Sequence, residues 1–157
     1  MGKVSSICKM ADIYVRHIHK LAAPSAGMLF YCPDDQTVLL TKRSENMSSP
    51  GTWDIQGGRH DEDDDSALET ATREAKEEIK NLPKRKLIGK HTLAKNPKGV
   101  EYVIHIYSVS EKEKEKWTPK IDLNHESEKY KWFPYDKLPK KTHFDLSWLK
   151  KTIEELE

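Results

Sequence analysis

The chain reads as an α/β layered domain, a mixed β-sheet flanked by helices. Three observations carry that reading. Short runs rich in aliphatic and aromatic residues recur, notably "SAGMLFYC" (25–32), "TVLLTKR" (37–43) and "GVEYVIHIYSV" (99–109), and such runs are strand signals. A charged segment with helical apolar spacing, from about Asp65 to Lys80, interrupts them. A second helical spacing, through Leu146, Leu149 and Ile153, ends the chain.

Each element has a local reason. Residues 12–19, "DIYVRHIH", alternate as a half-buried strand does. "PDDQ" supplies a hairpin turn between the strands 25–32 and 37–43. "SENMSSPGT" is a loop by composition, and "GTWDIQGG" carries a short strand that ends at a glycine pair. The acidic run "DEDDD" (61–65) follows, then the helix, which Pro83 stops at the latest. "KLIGKHTLA" and "GVEYVIHIYSV" form two strands joined by the turn "KNPKG". "EKEKEKW" is an exposed helical turn or loop, "YKWFPY" a last strand, and "FDLSWLKKTIEELE" a C-terminal helix.

Composition bounds the function. The 157 residues suit one domain, 1–157, with residues 1–10 as a flexible arm. A formal net charge of +1 announces neither nucleic acid nor membrane. Cys8 and Cys32 make no disulfide framework and have no zinc-ligand spacing, which fits a reducing, cytoplasmic setting. No apolar run reaches the roughly 20 residues a membrane span needs, and "MGKVSSICKM" lacks a signal-peptide core.

The stretch "TREAKEEI" (72–79) holds the chemistry. On a helical wheel Ala67, Leu68, Ala71, Ala75 and Ile79 fall within an arc of roughly 120°. Glu74, Glu77 and Glu78 share one side and border that arc. Like charges beside a buried face are costly, and Arg73 offsets one at most. A divalent cation with a preference for oxygen ligands would offset the rest. The alternative is a solvated E/K-rich helix, the commoner role of such charges. An EF-hand fails, because its sixth and twelfth positions hold Ser66 and Thr72.

The segment "GGRHDEDDDSALETATREAKEEI" resembles the Nudix box of the Nudix hydrolase superfamily, with "PGTWDIQGG" as its lead-in and "YKWFPYDKLP" as a late strand; the likeness runs over about residues 25–140. Three positions depart from the family pattern. The loop after Gly58 is one residue longer, Asp65 stands for the first glutamate, and Lys80 replaces the glycine after "EEI".

The resemblance implies a Nudix-type α/β/α sandwich. It also implies a magnesium-dependent (or manganese-dependent) pyrophosphohydrolase that cleaves a phosphoanhydride in a nucleoside diphosphate derivative or other small nucleotide. By the same resemblance Glu74, Glu77, Glu78 and the carbonyl of Gly57 match metal ligands, and Arg73 matches the residue that holds the box carboxylates. Glu126 occupies the region that supplies a later ligand or general base, with Glu128 as its competitor. A homodimer is a family habit.

RNA 5′-end hydrolysis is an alternative that the near-neutral charge disfavours, and a non-catalytic nucleotide-binding module is another. Several further residues carry two readings each. Trp53 is a base-stacking candidate or core. Tyr102, His105 and Tyr107 line the pocket or face solvent. Arg16 and Arg43 reach phosphates or form ion pairs. His60 and His125 are loop residues by default, and Lys84, Arg85 and Lys86 meet RNA or only solvate a helix end.

Overall fold

The computed structural model describes residues 23–157. The strand expected at 12–19, the arm 1–10, Cys8 and Arg16 lie outside them. Strand β1 (Ser25–Cys32) is the centre of a seven-stranded sheet. One of its edges runs parallel to β6 (Tyr102–Ser108), and β6 pairs antiparallel with β5 (Lys86–Leu93). Its other edge is shared. Near the "PDDQ" turn it pairs with β2 (Thr37–Arg43), through Tyr31↔Val38 and Cys32↔Thr37. Further back it pairs with β4 (Gln56–Gly58), through Ala26↔Gly58, Gly27↔Gly57 and Met28↔Gln56.

Strands β1 and β2 therefore splay apart beyond their turn. The single strand expected in "GTWDIQGG" becomes two pieces that fill this fork: β3 (Trp53–Asp54) on β2 and β4 on β1. The outer edge of β2 takes β7 (Ser127–Pro134).

Both faces of β1 are covered, which explains its nearly unbroken apolar run. Ala26, Met28 and Phe30 pack beneath helix α1 (Ala67–Ile79), with Ala71, Ala75 and Ile79. Leu29 and Tyr31 face the other way, toward Leu149 and Ile153 of helix α3 (Leu149–Leu156). The segment "EKEKEKW" is a true helix, α2 (Glu111–Trp117), capped by the Ser110 side chain. Two sequence expectations shift here. Leu68 is 38% exposed, and Thr70 takes the buried place on α1. The C-terminal helix begins at Leu149, so Phe144 and Leu146 precede it. Among the described residues no helix is long and apolar enough to cross a membrane.

The ends of α1 are set locally. The Ser66 hydroxyl accepts from the Glu69 N–H, and the Glu69 carboxylate accepts from the Asp65 N–H, a near variant of a capping box. The helix stops at Ile79 even though the usual glycine is absent. Lys80 itself adopts φ 61°, and its ammonium pairs with Asp122 at 3.2 Å. The helix thus ends short of Pro83, the latest stop the sequence allows.

Candidate active site

The fork between β1 and β2 brings the glycine pair of β4 under the C-terminal half of α1, at Glu74 and Glu78. There is no room for side chains at this contact. A methyl on Gly58 would stand 2.4 Å from Cδ of Glu74, and one on Gly57 would stand 2.6 Å from the Ala26 carbonyl oxygen. The Gly57 N–H donates to Oε2 of Glu78 at 3.1 Å. Within a strand the N–H and C=O of one residue point to the same edge, so the Gly57 carbonyl also faces away from β1.

A cavity of about 700 Å³ opens at this junction. Gly57, Gly58, Asp54, Glu74, Glu78 and Glu126 line one part of it. Elsewhere Arg43, Tyr102, His143 and Phe144 contribute, with Leu93 and Val100 from the β5–β6 hairpin. Glu126, distant in sequence, is thus gathered in with Glu74 and Glu78. Its competitor Glu128 is not, being paired to Lys42 at 3.0 Å.

Four carboxylates in one cavity disturb one another. Burial raises Glu78 well above its usual range, and the charges of Glu126, Asp54 and Glu74 add to this; only the Gly57 N–H opposes it. Burial also raises Glu74, which Arg73 partly offsets. Asp54 is pushed up to about 6 by burial, against the Ile55 N–H and Arg43. The donors are all hard oxygens bearing more negative charge than the protein neutralises, which suits a magnesium-type cation. Among the described residues no group of three or more His, Cys, Asp or Glu side chains is close enough together to hold a metal ion without the backbone or a substrate.

Arg73 organises the outer side. Its Nε and Nη2 donate to Asp64 at 3.0 Å each, and its Nη1 donates to Glu74 and Glu77 at 3.1 Å. Asp64 is only 5% exposed and also accepts from the Thr70 hydroxyl at 2.9 Å. The acid that meets Arg73 is therefore Asp64, while Asp65 is exposed. The extra loop residue falls after the acid and not before it. Glu77, with a side chain 54% exposed, stays on the rim with Arg73 and does not line the cavity.

The remaining candidates separate clearly. Arg43 joins the cavity but is engaged, donating to Asp54 at 3.2 Å and to the Ser48 carbonyl at 2.7 Å. Trp53 packs edge-on against Phe133 at 4.8 Å, outside the cavity. Tyr102 lines the cavity, whereas His105 and Tyr107 are buried elsewhere on the sheet. His60 and His125 lie outside the cavity, and Arg85 stacks over Tyr107 at 5.1 Å. Sequence reasoning missed Asp54, His143 and Phe144. Asp54 read as an ordinary strand residue, Phe144 as the start of the C-terminal helix, and His143 was given no role. Only the fork and the Trp53↔Thr142 bridge bring them together.

The chain belongs to the NUDIX domain family, whose model matches residues 21–155. It is accordingly a Nudix hydrolase, acting on phosphorus-containing anhydrides. Solved structures of similar fold include a C. elegans Ap4A hydrolase in a binary complex, at 21% identity and TM-score 0.65, covering 84% of this chain and 97% of that one. The M. smegmatis Nudix hydrolase RenU is similar at 21% identity and TM-score 0.68, covering 87% and 88%. The Nudix domain of Shewanella oneidensis NrtR, complexed with ADP ribose, is similar at 20% identity and TM-score 0.54, covering 86% and 88%. No curated protein sequence matches the chain.

Proposed function

We propose that this chain is a magnesium-dependent pyrophosphohydrolase that cleaves the phosphoanhydride of a nucleoside diphosphate derivative or other small nucleotide. The observation that carries the proposal is the meeting of Glu74, Glu78 and Glu126 with the Gly57 edge in one cavity. In this reading Glu74, Glu78, Glu126 and the Gly57 carbonyl hold the cation, and Glu77 joins from the rim. Bound there, magnesium or manganese would neutralise the diphosphate and acidify the attacking water.

The chain's own residues do the rest. Arg73 fixes Glu74 and Glu77 in place and braces that arrangement on Asp64. Glu126 or Glu74 takes the proton of the attacking water, and Glu126 is the better placed of the two because no arginine is tied to it among the described ion pairs. The apolar part of the cavity, with Phe144 and Leu93, suits a nucleoside.

The test is one screen. The chain is incubated with magnesium and dinucleoside polyphosphates, nucleotide sugars, ADP-ribose, nucleoside triphosphates and 5′-triphosphate RNA, and the products are identified. The names of the similar structures support including Ap4A and ADP-ribose. Cleavage of small nucleotides with unchanged RNA ends is the expected result. Cleavage of the RNA alone would overturn the substrate class. Nucleotide binding without turnover under any divalent metal would overturn the catalytic reading.

A further inference from the structure

The hydroxyl of Tyr102 reaches the catalytic cavity by a route built for it. It lies over the facing glycines Gly27 and Gly57, which are register partners between β1 and β4. A methyl on Gly57 would stand 2.0 Å from that oxygen, and one on Gly27 would stand 2.7 Å from it. Two neighbouring strands thus both lack a side chain where the phenol ends. The ring is held from another side by Phe144, at 4.7 Å between centroids.

The surroundings of the hydroxyl are unusual. It shares the cavity with Asp54, Glu78 and Glu74, and a phenol there is an uncharged donor. Each neighbouring carboxylate already has a donor of its own. Glu78 accepts from the Gly57 N–H, Asp54 from Arg43 and the Ile55 N–H, and Glu74 from Arg73. Among the hydrogen bonds of the described residues, none comes from the Tyr102 hydroxyl. The oxygen is open to the cavity: among the described residues the buried polar side-chain atoms without a partner are Gln56 Oε1, His60 Nε2 and His143 Nδ1, and the Tyr102 hydroxyl is not one of them. Its donor is therefore free for an acceptor that enters the cavity.

We propose that Tyr102 is a substrate-binding residue whose hydroxyl, seated over the Gly27–Gly57 pair, donates a hydrogen bond to a non-bridging oxygen of the substrate's anhydride phosphates. This rests on the reading of the cavity as a phosphoanhydride site. The choice of residue has a physical logic. A lysine in the same place would neutralise the carboxylates that a cation needs, whereas a phenol offers a donor and adds no charge. The two glycines then serve the hydroxyl's position as well as the close packing of β4 under α1.

The experiment separates this role from its alternatives. Binding of methylenediphosphonate and of α,β-methylene ADP, neither hydrolysable at the P–C–P bridge, is measured by calorimetry in magnesium for the wild type and Tyr102→Phe. Loss of about tenfold in affinity for both ligands is expected, as for one hydrogen bond to a charged acceptor. Binding of manganese alone and the melting temperature should match the wild type. Gly27→Ala, whose methyl would meet the retained hydroxyl, should give the same loss for both ligands.

Three outcomes overturn the proposal: unchanged diphosphonate affinity in Tyr102→Phe, a loss confined to the ADP analogue, or a parallel loss of manganese binding. The second would place the ring against the nucleoside, and the third would make the hydroxyl a support for the carboxylates. A wild type that binds neither analogue overturns it as well. The substrate screen is read separately. If Tyr102-dependent diphosphonate binding holds while no compound in the screen is hydrolysed, the proposed reaction falls and the Tyr102 contact stands.

Discussion

Arg73 meets Asp64 through two of its nitrogens, Nε and Nη2, at 3.0 Å each, and the carboxylate so held is almost wholly buried. This pair fastens the acidic loop to α1. It also leaves Nη1 free to hold Glu74 and Glu77. Asp64→Asn should therefore destabilise the fold by about 2 kcal/mol, the scale of a charged hydrogen-bonded pair broken on one side. Asp65→Asn, at an exposed position, should stay within about 0.5 kcal/mol. Urea unfolding of the two variants beside the wild type checks both values.

The same pair has a pH signature. Hydrogen bonds from Arg73 lower the Asp64 carboxyl from 3.8 to about 2. A carboxyl depressed on folding contributes stability that is complete above its unfolded pKa and is lost as pH falls through its folded pKa. The wild type should thus lose an increment of stability between about pH 4 and pH 2 that Asp64→Asn does not lose. Acid titrations of the unfolding free energy for the two proteins compare directly.

Glu78→Gln tests the cavity. Turnover should fall at least about a hundredfold if the carboxylate helps to hold the cation. In chelator the variant should be as stable as the wild type or more so, because a partly buried charge with like-charged neighbours has been removed. Activity and melting temperature in chelator, measured on one preparation, should part: the first falls and the second does not. Normal turnover would remove Glu78 from the site.

Magnesium at a hundred times its dissociation constant should stabilise the wild type by about 2.7 kcal/mol and raise its melting temperature accordingly. Glu78→Gln should show little of this gain. Thermal melts across a magnesium titration measure it without reference to any substrate.

Gly58 is constrained by a side chain, not by its backbone angle. A methyl there would stand 2.4 Å from Cδ of Glu74 and 2.6 Å and 2.7 Å from its oxygens. Gly58→Ala should move that carboxylate and lower the rate by about 10- to 100-fold, the cost of a displacement near 1 Å. Stability should change little, because the end of a flexible side chain gives way. Lys80→Gly is the converse case. Relief of the positive φ at Lys80 should stabilise the fold by about 1 kcal/mol, with no change in rate.

Much of this molecule was legible in the sequence, and the legible part is the local part. Alternation and apolar runs place β1, β2, β5 and β6, because backbone pairing and burial leave their period in the residues themselves. The spacing of Glu74, Glu77 and Glu78 beside Ala71, Ala75 and Ile79 follows from helical geometry alone. What only the tertiary structure decided depends on contacts between distant segments. The fork of β1 and β2 selects Glu126 over Glu128 and draws in Asp54, His143 and Phe144. Packing of the acidic loop on α1 selects Asp64 over its neighbour Asp65. Adjacent residues of like charge carry no local signal that tells them apart, and burial against a partner many residues away is what distinguishes them.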